Sequence, residues 1–171
     1  MNDFPAAPAL VPMTQIRCEV GGLVTLGAAP LGERRYVPLG GGSAAGPELN
    51  GTLVEGGVDW QVNRSDGALD IAAHYVIRTD DGALVEVQSQ GLRHGAPEVM
   101  ARLARGERVE PHEYFFRTLM RFTTGAAAWL HLNKTMALAV GQRCEQIQTA
   151  RGFMGTGRAF RALPGCVCRP R

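Results

Sequence analysis

Apolar and polar residues alternate along most of the chain with a period of two, the signature of half-buried β-strands. The clearest run is Leu69–Thr79. There Leu69, Ile71, Ala73, Tyr75 and Ile77 share one face, and Asp70, His74 and Arg78 take the other. Asp80-Asp81-Gly82 then predicts a tight turn, since Asp and Gly tolerate positive φ, and Leu84–Ser89 is the returning strand. Similar patterning predicts strands over Ile16–Leu26, with a break at Gly21-Gly22, over residues 48–55, over Val58–Arg64 after Gly56-Gly57, and over Glu113–Phe122. In the last of these Tyr114, Phe116, Thr118, Met120 and Phe122 face one way, and Phe115, Arg117, Leu119 and Arg121 the other. Shorter strands are expected over Ala128–Leu132, Thr135–Val140 and residues 144–150, and Gly27–Pro47 reads as turn-rich.

One segment breaks the period. Ala96–Arg105 puts Val99, Met100 and Leu103 at helical spacing, carries Pro97 early and stops at Gly106, so it predicts a short helix. Strands without intervening helices exclude a doubly wound sheet. About eight to nine of them at this spacing make the fold all-β, a single antiparallel β-barrel with one short helix. The expected organisation is a loose leader over residues 1–13, a barrel domain over 14–150 and a basic Gly/Arg-rich tail over 151–171.

Composition narrows the class. A chain of 171 residues with 45% hydrophobic and 20% charged residues is one globular domain rather than a disordered segment. It has no apolar run long enough for a membrane-spanning helix. A net charge of +2 exerts no global pull on nucleic acid or anionic lipid. Glycine is unusually abundant, 22 residues, and most of these lie where a curled sheet would bend. Every basic residue except Lys134 is Arg, which carries no functional signal by itself.

Several motif readings fail. Cys18, Cys144, Cys166 and Cys168 contain no C-x-x-C pair, and the four histidines form no metal-binding spacing, so no metal and no cofactor is expected. The Gly40–Gly46 loop lacks the Lys-Ser/Thr ending of a phosphate cradle. The N-terminal residues have neither the charge nor the uninterrupted apolar run of a targeting peptide, so a cytoplasmic location without disulfides is expected. The arginines beyond Gln146 lack the interleaved aromatics of a nucleic-acid surface, which leaves nucleic acid the least favoured partner.

One constellation remains. Asp59 and Trp60 follow a glycine bend, Tyr75 lies on an apolar face, and Arg117 follows Phe115-Phe116. Closed into a barrel, Asp59, Tyr75 and Arg117 would converge on the lumen as catalytic residues. Trp60, Tyr114, Phe116 and Trp129 would be the ligand-binding aromatics. Apolar surroundings raise the pKa of an Asp toward a usable proton shuttle, and a nearby Arg lowers it again. The same Asp and Arg would equally serve as a structural pair in the wall.

Pro38-Leu39-Gly40-Gly41-Gly42, Gly46-Pro47, Leu49-Asn50-Gly51 and Gly56-Gly57-Val58-Asp59-Trp60 form a spaced set of motifs. With Tyr75, Thr79-Asp80-Asp81-Gly82, Gly91, Tyr114-Phe115-Phe116-Arg117 and Trp129-Leu130, over roughly residues 17 to 142, they resemble the domain-of-unknown-function family 3237. The resemblance implies a lipocalin-like antiparallel barrel of small bacterial or fungal proteins, and weight on Asp59, Trp60 and Arg117 without an assigned activity. Residues 145–171 depart from a closing strand. An edge left open there would be covered by a second copy, so a homodimer is an open expectation.

The function expected is a barrel that binds a small oxygenated or aromatic organic molecule, with cofactor-free acid–base chemistry (isomerisation, cyclisation or addition–elimination) through Asp59. The alternatives are a non-catalytic binding barrel and, last, nucleic-acid contact through the basic tail.

Overall fold

The computed structural model describes residues 8–144 and 147–156. Nine strands run in chain order: β1 (Ala9–Val20), β2 (Val24–Ala29), β3 (Gly32–Ala45), β4 (Gly51–Asn63), β5 (Leu69–Thr79), β6 (Leu84–Gly95), β7 (Tyr114–Thr123), β8 (Met136–Cys144) and β9 (Ile147–Thr156). One α-helix, α1 (Pro97–Ala104), links β6 to β7, and a 3₁₀ helix (Ala127–Lys134) links β7 to β8. Neighbouring strands are antiparallel in the order β1-β9-β8-β7-β6-β5-β4-β3-β2, and β1 also pairs with β3. That extra pairing closes an eight-stranded barrel, with β2 a hairpin arm that extends β3. No helix among the described residues is long and apolar enough to cross a membrane.

The alternation predicted for the fifth strand holds: Leu69, Ile71, Tyr75 and Ile77 are buried, while His74 and Arg78 are exposed. Leu49, Ile77, Val85, Val87, Met120, Leu132, Ala137 and Ala139 pack the half of the barrel near the 3₁₀ helix. Each fully buried Leu, Ile, Val or Met side chain there contributes about 1.5–3 kcal/mol relative to exposure. The same end is latched by Trp129, whose indole N–H donates to the Asp81 carboxylate (2.9 Å). The other end carries α1, where Leu103 packs with Leu69, Ile71, Val109, Tyr114 and Phe116. An eight-stranded barrel is wide enough to be filled by side chains or to hold one small ligand. Here one half is filled and the α1 half is partly open.

Four expectations are corrected. Strand β1 begins at Ala9, so residues 9–13 belong to the barrel rather than to a leader. Gly27–Pro47 is mostly strand, because the glycines over 40–42 bend β3 without ending it. It pairs with β4 along both halves, its first half also with β2 and its second half also with β1. Residues 48–55 and 58–64 form one strand with a bulge between Val54 and Val58, where Gly56 takes φ +102° and a Cβ on Gly57 would stand 2.7 Å from Tyr75 Cβ. The segment 128–132 is 3₁₀ helix rather than strand.

Strand β9 pairs with both β8 and β1, so the open edge expected after β8 is closed within the chain, and the homodimer loses that basis. Residues 151–156, expected to open the basic tail, are instead the end of β9; the rest of the tail and the Cys166/Cys168 pair lie outside the described residues.

Candidate functional site

Several inward-facing positions near the α1 end are polar. On β4 the bulge delivers Asp59 and Gln61 to the inside, both buried. Regular pairing places Val37 beside Asp59 and Arg35 beside Gln61 from β3. On β6 the alternation Val85, Val87, Ser89, Gly91 continues to Arg93, which is only 5% exposed. On β8, Ala137, Ala139 and Gly141 alternate inward to Arg143. Three guanidinium groups and one carboxylate therefore crowd into one end of the barrel.

Their bonding is incomplete. Gln61 Nε2 donates to Asp59 Oδ2 (2.7 Å), and Arg35 Nε donates to Gln61 Oε1 (3.1 Å). Arg35 also lies 3.7 Å from the Glu33 carboxylate at the rim. Asp59 Oδ1, Arg93 Nε and Arg143 Nε are buried with no hydrogen-bond partner. Most buried polar atoms in folded proteins are paired, so three orphans in one place are unusual.

Burial pushes the Asp59 carboxyl up to about 6, against the opposing pull of the Gln61 hydrogen bond, Arg93 and Arg35. Arg93 is pushed down to about 10, first by burial and then by repulsion from Arg143 and Arg35.

A cavity of about 460 Å³ opens above these groups. Val20, Leu23, Val37, Leu69, Pro97 and Met100 supply its apolar wall, and Arg35, Gln61, Arg93 and Arg143 its polar one. Asp59 is not in the wall; Gln61 connects it to the cavity. Helix α1 covers the mouth. It is held there by buried Leu103 and by Arg102, which donates to Glu113 (2.9 Å) and to the Arg108 carbonyl (3.1 Å).

Of the residues predicted from sequence, Asp59 and Tyr75 do face inward. Tyr75 lies in the packed core, where burial raises its phenol well above the usual range. Tyr114 and Phe116 also face inward and support the arginines. The Tyr114 hydroxyl accepts the Arg143 backbone N–H (3.1 Å), and the Arg93 guanidinium lies 5.8 Å from the centre of the Phe116 ring.

Arg117 is not brought to Asp59. It follows inward-facing Phe116 in an unbroken strand and so points outward, over the Phe115 ring (5.3 Å) and onto the Phe116 carbonyl. Trp60, next to inward-facing Asp59, is likewise outside, against Tyr36 and Arg34. Trp129 latches the opposite end.

The arginines that do surround Asp59 were legible in part. Arg93 and Arg143 each extend an inward alternation past the point where the predicted strand stops, at Ser89 and at Val140. Arg35 was hidden in a segment read as turns.

A family profile described as "Protein of unknown function (DUF3237)" matches residues 8–151. The chain belongs to this family. The match takes in β1 through the first half of β9 and every residue of the Asp59 cluster.

Bacterial proteins named as UPF0311 are similar to this chain. One from Rhodopseudomonas palustris is 37% identical over 110 residues, covering 64% of this chain and 72% of the relative. Another from Bradyrhizobium diazoefficiens is 36% identical over 128 residues, covering 75% and 84%. Among solved structures, the Rhodopseudomonas palustris protein superposes with a TM-score of 0.83 at 28% identity, over 90% of this chain and all of that one. A beta-barrel like protein from Acinetobacter baumannii superposes with a TM-score of 0.78 at 31% identity, over 91% and 100%. The barrel is also that of an enzyme from Penicillium herquei, with a TM-score of 0.67 at 20% identity over 90% and 99%, a likeness of fold alone.

Proposed function

We propose that this DUF3237 chain binds a small organic molecule in the α1 end of its barrel. The observation that carries the reading is the cavity of about 460 Å³, with an apolar wall on one side and convergent buried polar groups on the other. Small-molecule sites are commonly concave, roughly 300–1,000 Å³, mostly apolar and furnished with a few fixed polar groups.

Thermal unfolding with benzyl alcohol, benzoate, cinnamate and 1-naphthoate tests it. At least one of these raises the melting temperature of the wild-type chain. Ala104→Trp, which fills the mouth from the exposed end of α1, abolishes the rise. No shift with any compound, or a shift that Ala104→Trp leaves intact, overturns the reading.

The buried, unpartnered Oδ1 of Asp59 favours a second reading, in which the site also moves protons. A carboxyl raised to about 6 holds and releases a proton near neutral pH. With the Gln61 side chain that separates it from the cavity swung aside, Asp59 as carboxylate would take a proton from one atom of the ligand and return it to another, an isomerisation that needs no further reagent. The Penicillium herquei enzyme shares this barrel fold. Deuterium uptake from D₂O into a ligand found by the thermal assay measures it. Uptake equal in Asp59→Asn and wild type would dismiss a catalytic Asp59.

A further inference from the structure

Three arginines meet in the mouth, and their charge is not balanced there. Arg35 has Glu33 at 3.7 Å and the Gln61 side chain at 3.1 Å. Arg93 and Arg143 have no carboxylate within 4 Å among the described residues, and the Nε of each is buried without a partner. Asp66, also in the cavity wall, is engaged by Arg64 at the rim. Asp59, the one carboxyl among the three arginines, is half neutralised near pH 6 by its own burial.

Uncompensated guanidinium groups are costly to bury, and a fold seldom keeps two of them side by side for packing alone. Their cost is removed when an anion arrives. A planar guanidinium fork matches a carboxylate in geometry as well as charge.

We propose that the cavity is a site for an organic carboxylate, its anionic head held by Arg93 and Arg143 and its apolar body lying against Val20, Leu23, Leu69 and Met100. This deepens the binding reading above and rests on it. The apolar wall excludes a bare inorganic anion as the best-fitting ligand, since half of the lining would then face water. The nearness of Asp59 favours a single negative charge over a doubly charged phosphate, because an ionised Asp59 repels the second charge more strongly.

Phe116 and Tyr114 act as positioning residues. The ring beneath Arg93 and the hydroxyl on the Arg143 backbone fix where the two guanidinium groups stand.

Matched acid and amide pairs test the assignment, because each pair differs in charge and hardly in shape. Benzoate and benzamide, cinnamate and cinnamamide, and 1-naphthoate and 1-naphthamide are titrated by calorimetry into the full chain. The acids are expected to bind at least about tenfold more tightly than their amides, a margin typical of losing one buried charge partner. Arg93→Met is expected to erase that margin while raising the melting temperature of the ligand-free chain, because it removes a buried, repelled charge. Arg143→Met serves as the second variant should Arg93→Met fail to fold, with the same expected loss.

Amides that bind as well as the acids would overturn the carboxylate assignment and leave the binding barrel standing. Binding by neither member of any pair would overturn both. An acid preference that survives both arginine variants would place the anion elsewhere and refute the site.

Discussion

Replacing Asp59 by Asn should stabilise this protein at alkaline pH and leave it unchanged in acid. The folded-state pKa of about 6 lies above the ordinary 3.8, because burial opposes the charged form more than Gln61, Arg93 and Arg35 support it. Between those two values the folded state holds more protons than the unfolded state. Stability contributed by the Asp59 carboxyl is therefore fully present below about pH 4 and lost as pH rises through 6. The loss is about 2 pK units at 1.36 kcal/mol each, or about 3 kcal/mol above pH 7. Asn keeps the shape and can still accept from Gln61 Nε2, now 2.7 Å from Oδ2, but has no charge to desolvate.

Urea unfolding of both proteins from pH 4 to 8 measures the effect. With a slope of about 1–3 kcal/mol per molar, the Asp59→Asn midpoint should exceed wild type by on the order of 1 M at pH 8 and match it at pH 4. The difference between the two proteins is the quantity to read. Asp66, Asp81, Glu86 and Glu113 are all held below their usual range and add stability as pH rises, which cancels between the two proteins. The charged and titratable groups facing Asp59 are Arg35 from β3, Arg93 from β6, Cys18 from β1 and Tyr75 from β5. Cys18 is raised to about 11 and Tyr75 higher still, so neither titrates in this window. A midpoint lowered by Asp59→Asn at pH 8 would refute the reasoning. It would show that the ionised carboxylate is a structural partner of the arginines around it.

Two further outcomes follow from the facing of single residues. Arg117→Ala should leave acid-over-amide discrimination unchanged by calorimetry, since Arg117 lies outside the wall, over Phe115; a tenfold loss would mean that the strand is turned the other way in solution. Gly91→Ala should destabilise by about 1–3 kcal/mol in urea titrations, toward the upper end, because its Cβ would stand 2.0 Å from the Arg117 carbonyl and 2.6 Å from Thr118 Cα, backbone atoms that cannot swing aside. A neutral result there would mean that β6 and β7 are farther apart than described.

Much of the fold was legible because period-two alternation is a local property. Leu69–Thr79 and Glu113–Phe122 each announce which residues face in, and Ala96–Arg105 announces its helix within a residue or so at each end. Applied consistently, that rule already separates Arg117 from Tyr114 and Phe116, and Trp60 from Asp59. Weighing those residues by motif rather than by face placed them in the lumen. The 3₁₀ helix at Ala127–Lys134 escaped because its apolar residues also suit a short strand.

By itself, then, the sequence determined the all-β class, the short helix, the family and the inward facing of Asp59, since each depends on neighbours along the chain. Tertiary structure decided the rest. Arg35, Gln61, Arg93 and Arg143 come from four strands spread along the chain, β3, β4, β6 and β8, and only the closed pairing of β1 with β3 and β9 sets them around one cavity. Closure also removes water from them. That desolvation, which no linear pattern encodes, turns one aspartate and three arginines into a strained, charge-surplus site.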